Sequence, residues 1–567
     1  MSDVEGETAS KVAIGISFGN TYSSIAYTGA DGKAEVIANE DGDRQIPSIL
    51  SYVEGEQFQG TQAKSQLVRN PKNTVAYFRD FIGKDFKSID PSPCHASAHP
   101  EEQGSTVGFE IQDTESQDKN KVTVSEITTR HINRLVQSAS DYIGKPVTAA
   151  VITVPTNFTD AQKNALTEAA KAAGIEVLQY ISEPVSALLA HDAKNTEEVK
   201  DKIVVVADLG GIRSDVAVVA SRGGMYTILA TAHDYDLGGA TLDQTLIDYA
   251  AKEFMKKNKT DPRQVERSLA KLKLEAEAVK KSLSIGASAS FSIESLADGV
   301  DFSLSVNRTR YEILANKVFA SFTRLIESAI QKADLDVLDV DEIVLAGGSS
   351  HTPKIARNLQ AHFPETTAIM APATSPVAIN PSEMAARGAA IQASLISEFE
   401  KEDIEQSTHP AVTVTPHLTK AVGVLVTSDG QETFYPLVAP ETPVPVRRTA
   451  QFAAEGSVLI KLCEAVREIK VTKPEPKEKP QTNGDAEDDE DEDDFSDEEE
   501  DLREKVWKTG SVLAEAAVKD VKKGGKVEVQ VNVGADLAVQ ITAREVGGKG
   551  GVRGNLAAGQ VAENGSA

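Results

Sequence analysis

GISFGNTYSSIAY, from Gly15 to Tyr27, and ADLGGIRSDVAVV, from Ala207 to Val219, repeat one pattern: an apolar run reaches a small-residue turn and resumes as an alternating strand. A turn of this kind lets backbone amides approach an anion closely, because glycine carries no Cβ. Two copies in one chain read as paired phosphate loops of a duplicated nucleotide-binding fold. The copies differ in a charge, since Ser17 stands where Asp208 stands. A phosphorylated ligand is expected, with weakened chemistry upon it.

From Lys11 to about Glu400 strand-like and helix-like stretches alternate, which predicts α/β architecture. AAVITVP from Ala149 reads as a strand, and TDAQKNALTEAAKAAG as a helix capped by Thr159 and stopped at Gly174. KIVVVADLG from Lys202 opens a second cycle, and DEIVLAGGSS from Asp341 a third, followed by the helical TPKIARNLQAHF. Residues 401–410 are polar and read as a linker. Short strands without intervening helices then fill 411–545, broken by an acidic insertion at 473–504. Residues 1–10 and 546–567 read as loose termini.

The 567 residues carry a net charge of −27, but 14 acidic side chains fall within Asp485–Asp501, and removing them leaves −13. With no basic stripe, direct nucleic-acid binding is not expected. Cys94 and Cys463 lie in different predicted domains, so neither a disulfide framework nor a metal cluster is expected. No apolar run approaches the length of a membrane span and the N-terminus has no signal-peptide core, which points to the cytoplasm.

NTVAYFRDFIGKDF from Asn73, ITVPTNFTDAQKNALTEAAKAAG from Ile152, SEPVSALLAH from Ser182, LGGATLD from Leu237, EAVKKSLS from Glu277, LAGGSSHTPKI from Leu345 and NPSEMAARGAAIQA from Asn380 follow in order. With them the chain, from Lys11 to Glu545, resembles the heat-shock-70 (DnaK-like) chaperones. The resemblance implies an actin-like, duplicated two-lobe ATPase domain over 11–400 and a β-sandwich domain of the peptide-binding type over 411–545. It implies ATP as ligand. The first phosphate loop matches Gly19, Asn20 and Thr21, and the second matches Gly210 and Gly211, with Gly238 and Gly239 beside them. Glu277, Lys280, Lys281 and Ser284 match the helix that holds ribose and base. Gly347, Gly348 and Ser349 match the opposing turn, with His351 in place of a stacking arginine and Ser382 in place of an aspartate.

The catalytic positions depart from the family. Ser17 replaces a carboxylate that helps hold the metal's water shell, and Arg79 replaces a lysine that orients the attacking water. Ile212 and Arg213 replace a glycine and a threonine, and Arg213 is placed to pair with a phosphate oxygen. Glu183, Asp208 and Asp215 survive as the acidic part of the site. Mg2+ has no direct protein ligand in this reading, only Asp208 acting through water. ATP binding with residual or absent hydrolysis is therefore expected.

The linker lacks the family's leucine run, and no helical lid is expected after the β-domain. This combination is most similar to an atypical, fungal branch of the family, the subunit of a ribosome-associated complex. That resemblance implies a stable heterodimer with a J-domain protein of the zuotin type, ribosome contact through that partner, and stimulation of a second heat-shock-70 chaperone acting on nascent chains. An active, ATP-hydrolysing foldase whose substitutions are compensated is the alternative. An actin-like sugar kinase would have no use for the β-domain.

Overall fold

The computed structural model describes residues 12–115, 118–194, 201–397, 399–408, 417–428, 431–440, 442–472, 502–548 and 551–556. The chain divides into two compact units, Met1–Thr413 and Val414–Ala567.

In the first unit the duplication seen in the sequence is a duplication of sheet order. One sheet runs Glu176–Ser182, Ala149–Val154, Ala13–Phe18, Tyr22–Thr28, Ala34–Ile37, and the other runs Ala368–Met370, Glu342–Ala346, Lys202–Leu209, Ser214–Arg222, Met225–Asp234. In each, the strand that enters the glycine turn has a parallel neighbour on one side and its own antiparallel hairpin partner on the other. The central strands read as unbroken apolar runs because both faces are covered: all six residues of Ala149–Val154 are buried. Separate cores serve the halves, one including Ile14, Ile16, Phe18 and Phe109, the other Leu242, Phe254, Phe291 and Phe319.

Helices form where the caps predict. Thr159 accepts from the Gln162 amide and Gln162 answers with its side chain, a reciprocal cap that starts Asp160–Ala172. Gly174, at φ 86°, lies beyond its end. The helix that carries Glu277, Lys280, Lys281 and Ser284 spans Glu266–Ile285.

Three expectations about the boundaries are corrected. The predicted linker contains a helix, Lys401–Thr408, because Ile404 is buried against Val151, Ile181, Ala389 and Ile396 and anchors an otherwise polar stretch. The predicted loose tail contributes a strand, Gly551–Leu556, which pairs with the edge strand Val539–Glu545 through backbone hydrogen bonds that need no apolar side chains. Among the described residues the strands of the β-unit are hydrogen-bonded in one six-stranded antiparallel order, where the sequence predicts short strands. Its centre is two long ribbons, Val446–Thr472 and Leu502–Val533, bent at repeated register shifts near Gly456 and Cys463. Val422, Val424 and Leu462 thereby share a core with Val529, Val531 and Ile541. Among the described residues of this unit there is no helix. The N-terminal ten residues and all of the acidic insertion before Leu502 lie outside the described residues.

Candidate functional site

The two glycine turns face one cleft of about 470 Å³, within the range of small-molecule sites. The structure brings nearly every expected residue to its wall. Ser17, Gly19, Asn20, Thr21, Arg79, Glu183, Asp208, Gly210, Gly211, Ile212, Arg213 and Asp215 line one end. Glu277, Lys280, Lys281, Ser284, Gly347, Gly348, Ser349, His351 and Ser382 also line it. Gly238 does not; a Cβ there would meet the Gly211 carbonyl at 2.8 Å, so it serves packing behind the second loop.

Backbone geometry explains the turns. A Cβ on Gly211 would sit 2.4 Å from Thr21 Oγ1, so the two loops meet only because this position is glycine. Gly347 combines φ 79° with a Cβ position 2.4 Å from Asp208 Oδ1. Ser349 Oγ donates to the Gly210 carbonyl at 2.8 Å and ties the third turn to the second. Asn20 Oδ1 and Thr21 Oγ1 are buried without a hydrogen-bond partner. Of these two atoms of the first turn, the Thr21 hydroxyl is a donor and fits a ligand bearing anionic oxygens, whereas Asn20 Oδ1 is an acceptor and does not.

The sheet registers make the two hairpins equivalent position by position. Phe18 pairs with Ser23 and Leu209 with Ser214, so each turn holds four residues. Ser17 pairs with Ser24, and Asp208 with Asp215. The first hairpin therefore lacks both carboxylates of the second. Ser24 lines the cleft and was not singled out from sequence, where a serine in a strand carries no signal of its own.

Around the carboxylates stand two buried arginines. Arg79 donates from Nε to Asp80 Oδ1 at 2.8 Å, and from Nη1 to Glu183 Oε1 and to the Phe18 carbonyl, each at 3.2 Å. Arg213 grips Asp215 with Nε, at 2.7 Å, and with Nη2, while its guanidinium lies 4.6 Å from the Tyr235 ring centroid. His233 Nδ1 lies 2.7 Å from Asp215 as well. Burial alone would raise the Asp215 carboxyl, but the hydrogen bonds from His233 and Arg213 hold it below the usual range. Burial pushes Glu183 up despite Arg79, and Asp208 rises through burial and the nearby Asp215 charge. Asp80 and His233, both outside the sequence reading, complete this network.

At the opposite end Lys280 is committed to Asp243 Oδ2, at 2.8 Å, and to the Gly239 carbonyl, at 3.0 Å. Glu277 accepts from Lys64 Nζ at 2.5 Å, from Lys281 at 2.8 Å and from the Tyr22 hydroxyl. Burial opposes the Glu277 charge, yet Lys64, Lys281 and Lys280 hold its carboxyl far below the ordinary value. His351 Nε2 lies 3.1 Å from Ser382 Oγ, and burial lowers its pKa. Cys94 and Cys463 are both buried and unpaired with each other.

A duplicated α/β unit whose halves face one cleft, joined to a β-rich unit, defines the class. The chain belongs to the Hsp70 family, whose model, described as Hsp70 protein, matches residues 13–472. It is 46% identical over 550 residues to the ribosome-associated complex subunit SSZ1 of Saccharomyces cerevisiae, covering 96% of this chain and 100% of that one. A heat shock protein 70 homolog of Schizosaccharomyces pombe is 42% identical, with 96% of each chain covered. Human heat shock 70 kDa protein 14 is 33% identical over 79% of this chain and 85% of its own.

The family in general binds ATP or ADP with Mg2+. The glycine turns and the orphaned Thr21 hydroxyl fit a nucleotide phosphate. The carboxylates do not fit a directly held divalent ion. Glu183 and Asp215 are occupied by arginines, the equivalents in the first hairpin are serines, and among the described residues no three acidic, His or Cys side chains converge as a metal set.

Proposed function

We propose that this chain is an atypical Hsp70 subunit that binds ATP with little or no hydrolysis, pairs stably with a J-domain protein of the zuotin type on cytoplasmic ribosomes, and stimulates a second Hsp70 acting on nascent chains. The observation that carries the reading is the state of Arg79. Phosphoryl transfer to water needs a nucleophile placed and its charge development stabilised. A guanidinium fixed by Asp80 and Glu183 still carries its charge to the cleft, but its planar fork does not place a water as a compact ammonium does. Ser17 adds no charge. Ground-state binding depends instead on the glycine turns, Asn20 and Thr21, which this chain keeps, so affinity outlasts catalysis.

The yeast relative, a ribosome-associated complex subunit, supports the ribosomal assembly, because the likeness covers 96% of this chain. In the β-unit Leu459, Val466, Val471 and Val512 are exposed apolar side chains on the long ribbons, suited to a partner segment laid along the sheet. The acidic net charge argues for ribosome contact through the partner and against contact with RNA by this chain. Single-turnover hydrolysis, with the chain alone and with its J-domain partner, tests the reading. Near-background rates in both are expected; many-fold stimulation by the partner would overturn it in favour of an active foldase.

A further inference from the structure

We infer that this cleft holds its nucleotide without a divalent cation, the guanidinium groups of Arg79 and Arg213 supplying the positive charge at the phosphate end. The inference rests on the nucleotide reading above and goes beyond it.

A polyphosphate entering a buried cleft has to be neutralised, and either a metal ion or fixed side chains can do so. The equivalence of the hairpins shows how far the balance has moved. Positions 17 and 24 are serines where 208 and 215 are aspartates, so the first hairpin has no carboxylate to anchor a metal's water shell. In the second hairpin Asp215 already accepts two donors from Arg213 and lies against His233. Glu183 is taken by Arg79 at 3.2 Å. Asp208 is left as the one cleft carboxylate without an ion pair among the described residues, so the side chains able to hold a metal's water shell are reduced to one.

The cations that fill the gap are built in. Arg79 and Arg213 both line the cleft and both are buried, at 5% and 8% exposure. Asp80 lies between them, 2.7 Å from Arg79 Nη2 and 3.7 Å from Arg213 Nη1. That last distance is beyond a hydrogen bond, so Nη1 of Arg213 is the donor most readily turned to a phosphate oxygen. Against the family pattern, serine for aspartate at 17 removes a negative charge and arginine for threonine at 213 adds a positive one. The two changes together equal the charge of a divalent cation. Guanidinium groups are charged at all accessible pH and match phosphate geometry bidentately.

Equilibrium binding of ATP to the nucleotide-free, full-length chain, measured by calorimetry in excess Mg2+ and again in excess EDTA, tests this. Affinities within about threefold of each other are expected, while a loss of about tenfold or more in EDTA would overturn the proposal. Absence of binding in both buffers removes the nucleotide reading itself, and the proposal with it. The double variant Ser17→Asp, Arg213→Thr reverses the charge exchange and should become metal-dependent by about tenfold. If that variant binds ATP equally with and without Mg2+, the assignment of the missing charge to Arg213 is wrong. Metal analysis of the ATP complex recovered from Mg2+ buffer gives an independent readout, expected to be well below one Mg2+ per nucleotide.

Discussion

Arg79 is 5% exposed and joins Phe18, Asp80 and Glu183, so its removal strands a buried carboxylate. Arg79→Ala should cost about 3–5 kcal/mol, read as a lower urea midpoint, whereas Arg79→Lys keeps a cation and should cost less. An alanine variant as stable as the parent would show that the network contributes nothing to folding. His131 acts through pH. Its ring is fully buried between Phe18 and Phe78, with Ser23 Oγ 3.0 Å from Nε2 and the Gln59 amide 2.6 Å from Nδ1. Burial pushes its pKa down to about 3. The unfolded ring titrates near 6.5, so between these values the unfolded state binds the extra proton. Stability therefore falls as pH drops below about 6.5, by at most about 1.4 kcal/mol per unit from this group. His131→Gln should narrow the gap between urea midpoints at pH 7 and pH 4.5; an unchanged gap would place the acid sensitivity elsewhere.

Secondary elements were legible where a local rule decides them. Thr159 with Gln162, a buried run at Ala149–Val154, and glycine turns after strands each carry their reason within a few residues. The cap is directly testable, since Thr159→Ala should cost about 1 kcal/mol in thermal or urea unfolding. Elements set by distant contacts were not legible. Lys401–Thr408 is polar except for Ile404, whose burial depends on residues of three other elements. Gly551–Leu556 is a strand because an edge at Val539–Glu545 is there to pair with. The same limit applied inside the site. Ser17 was visible beside Asp208, but Ser24 acquires meaning only through a register that sets it against Ser17 as Asp215 is set against Asp208. Asp80, His233 and Tyr22 were likewise hidden, each being one more polar residue until folding places it on the network.

Across the whole molecule the cleft is closed by charge. Tyr22 and Lys64 come from the first half of the duplicated unit, Glu277 and Lys281 from the second, and their contacts bridge the cleft. Every residue of this clasp, of both glycine turns and of the arginine network falls within Met1–Thr413, which has its own cores, while the β-unit is built on a core of its own. Nucleotide binding and partner binding are then separable by a cut between the units. A chain lacking residues 414–567 should bind ATP within about twofold of the full-length affinity, since no cleft residue is lost. The same truncation should abolish stable association with the J-domain partner, because the exposed apolar ribbons that suit a partner segment go with the β-unit. Calorimetry and co-purification read the two outcomes separately. Retention of the partner by the truncated chain would move the docking surface onto the first unit, and loss of ATP binding with the fold intact would make the cleft dependent on the β-unit.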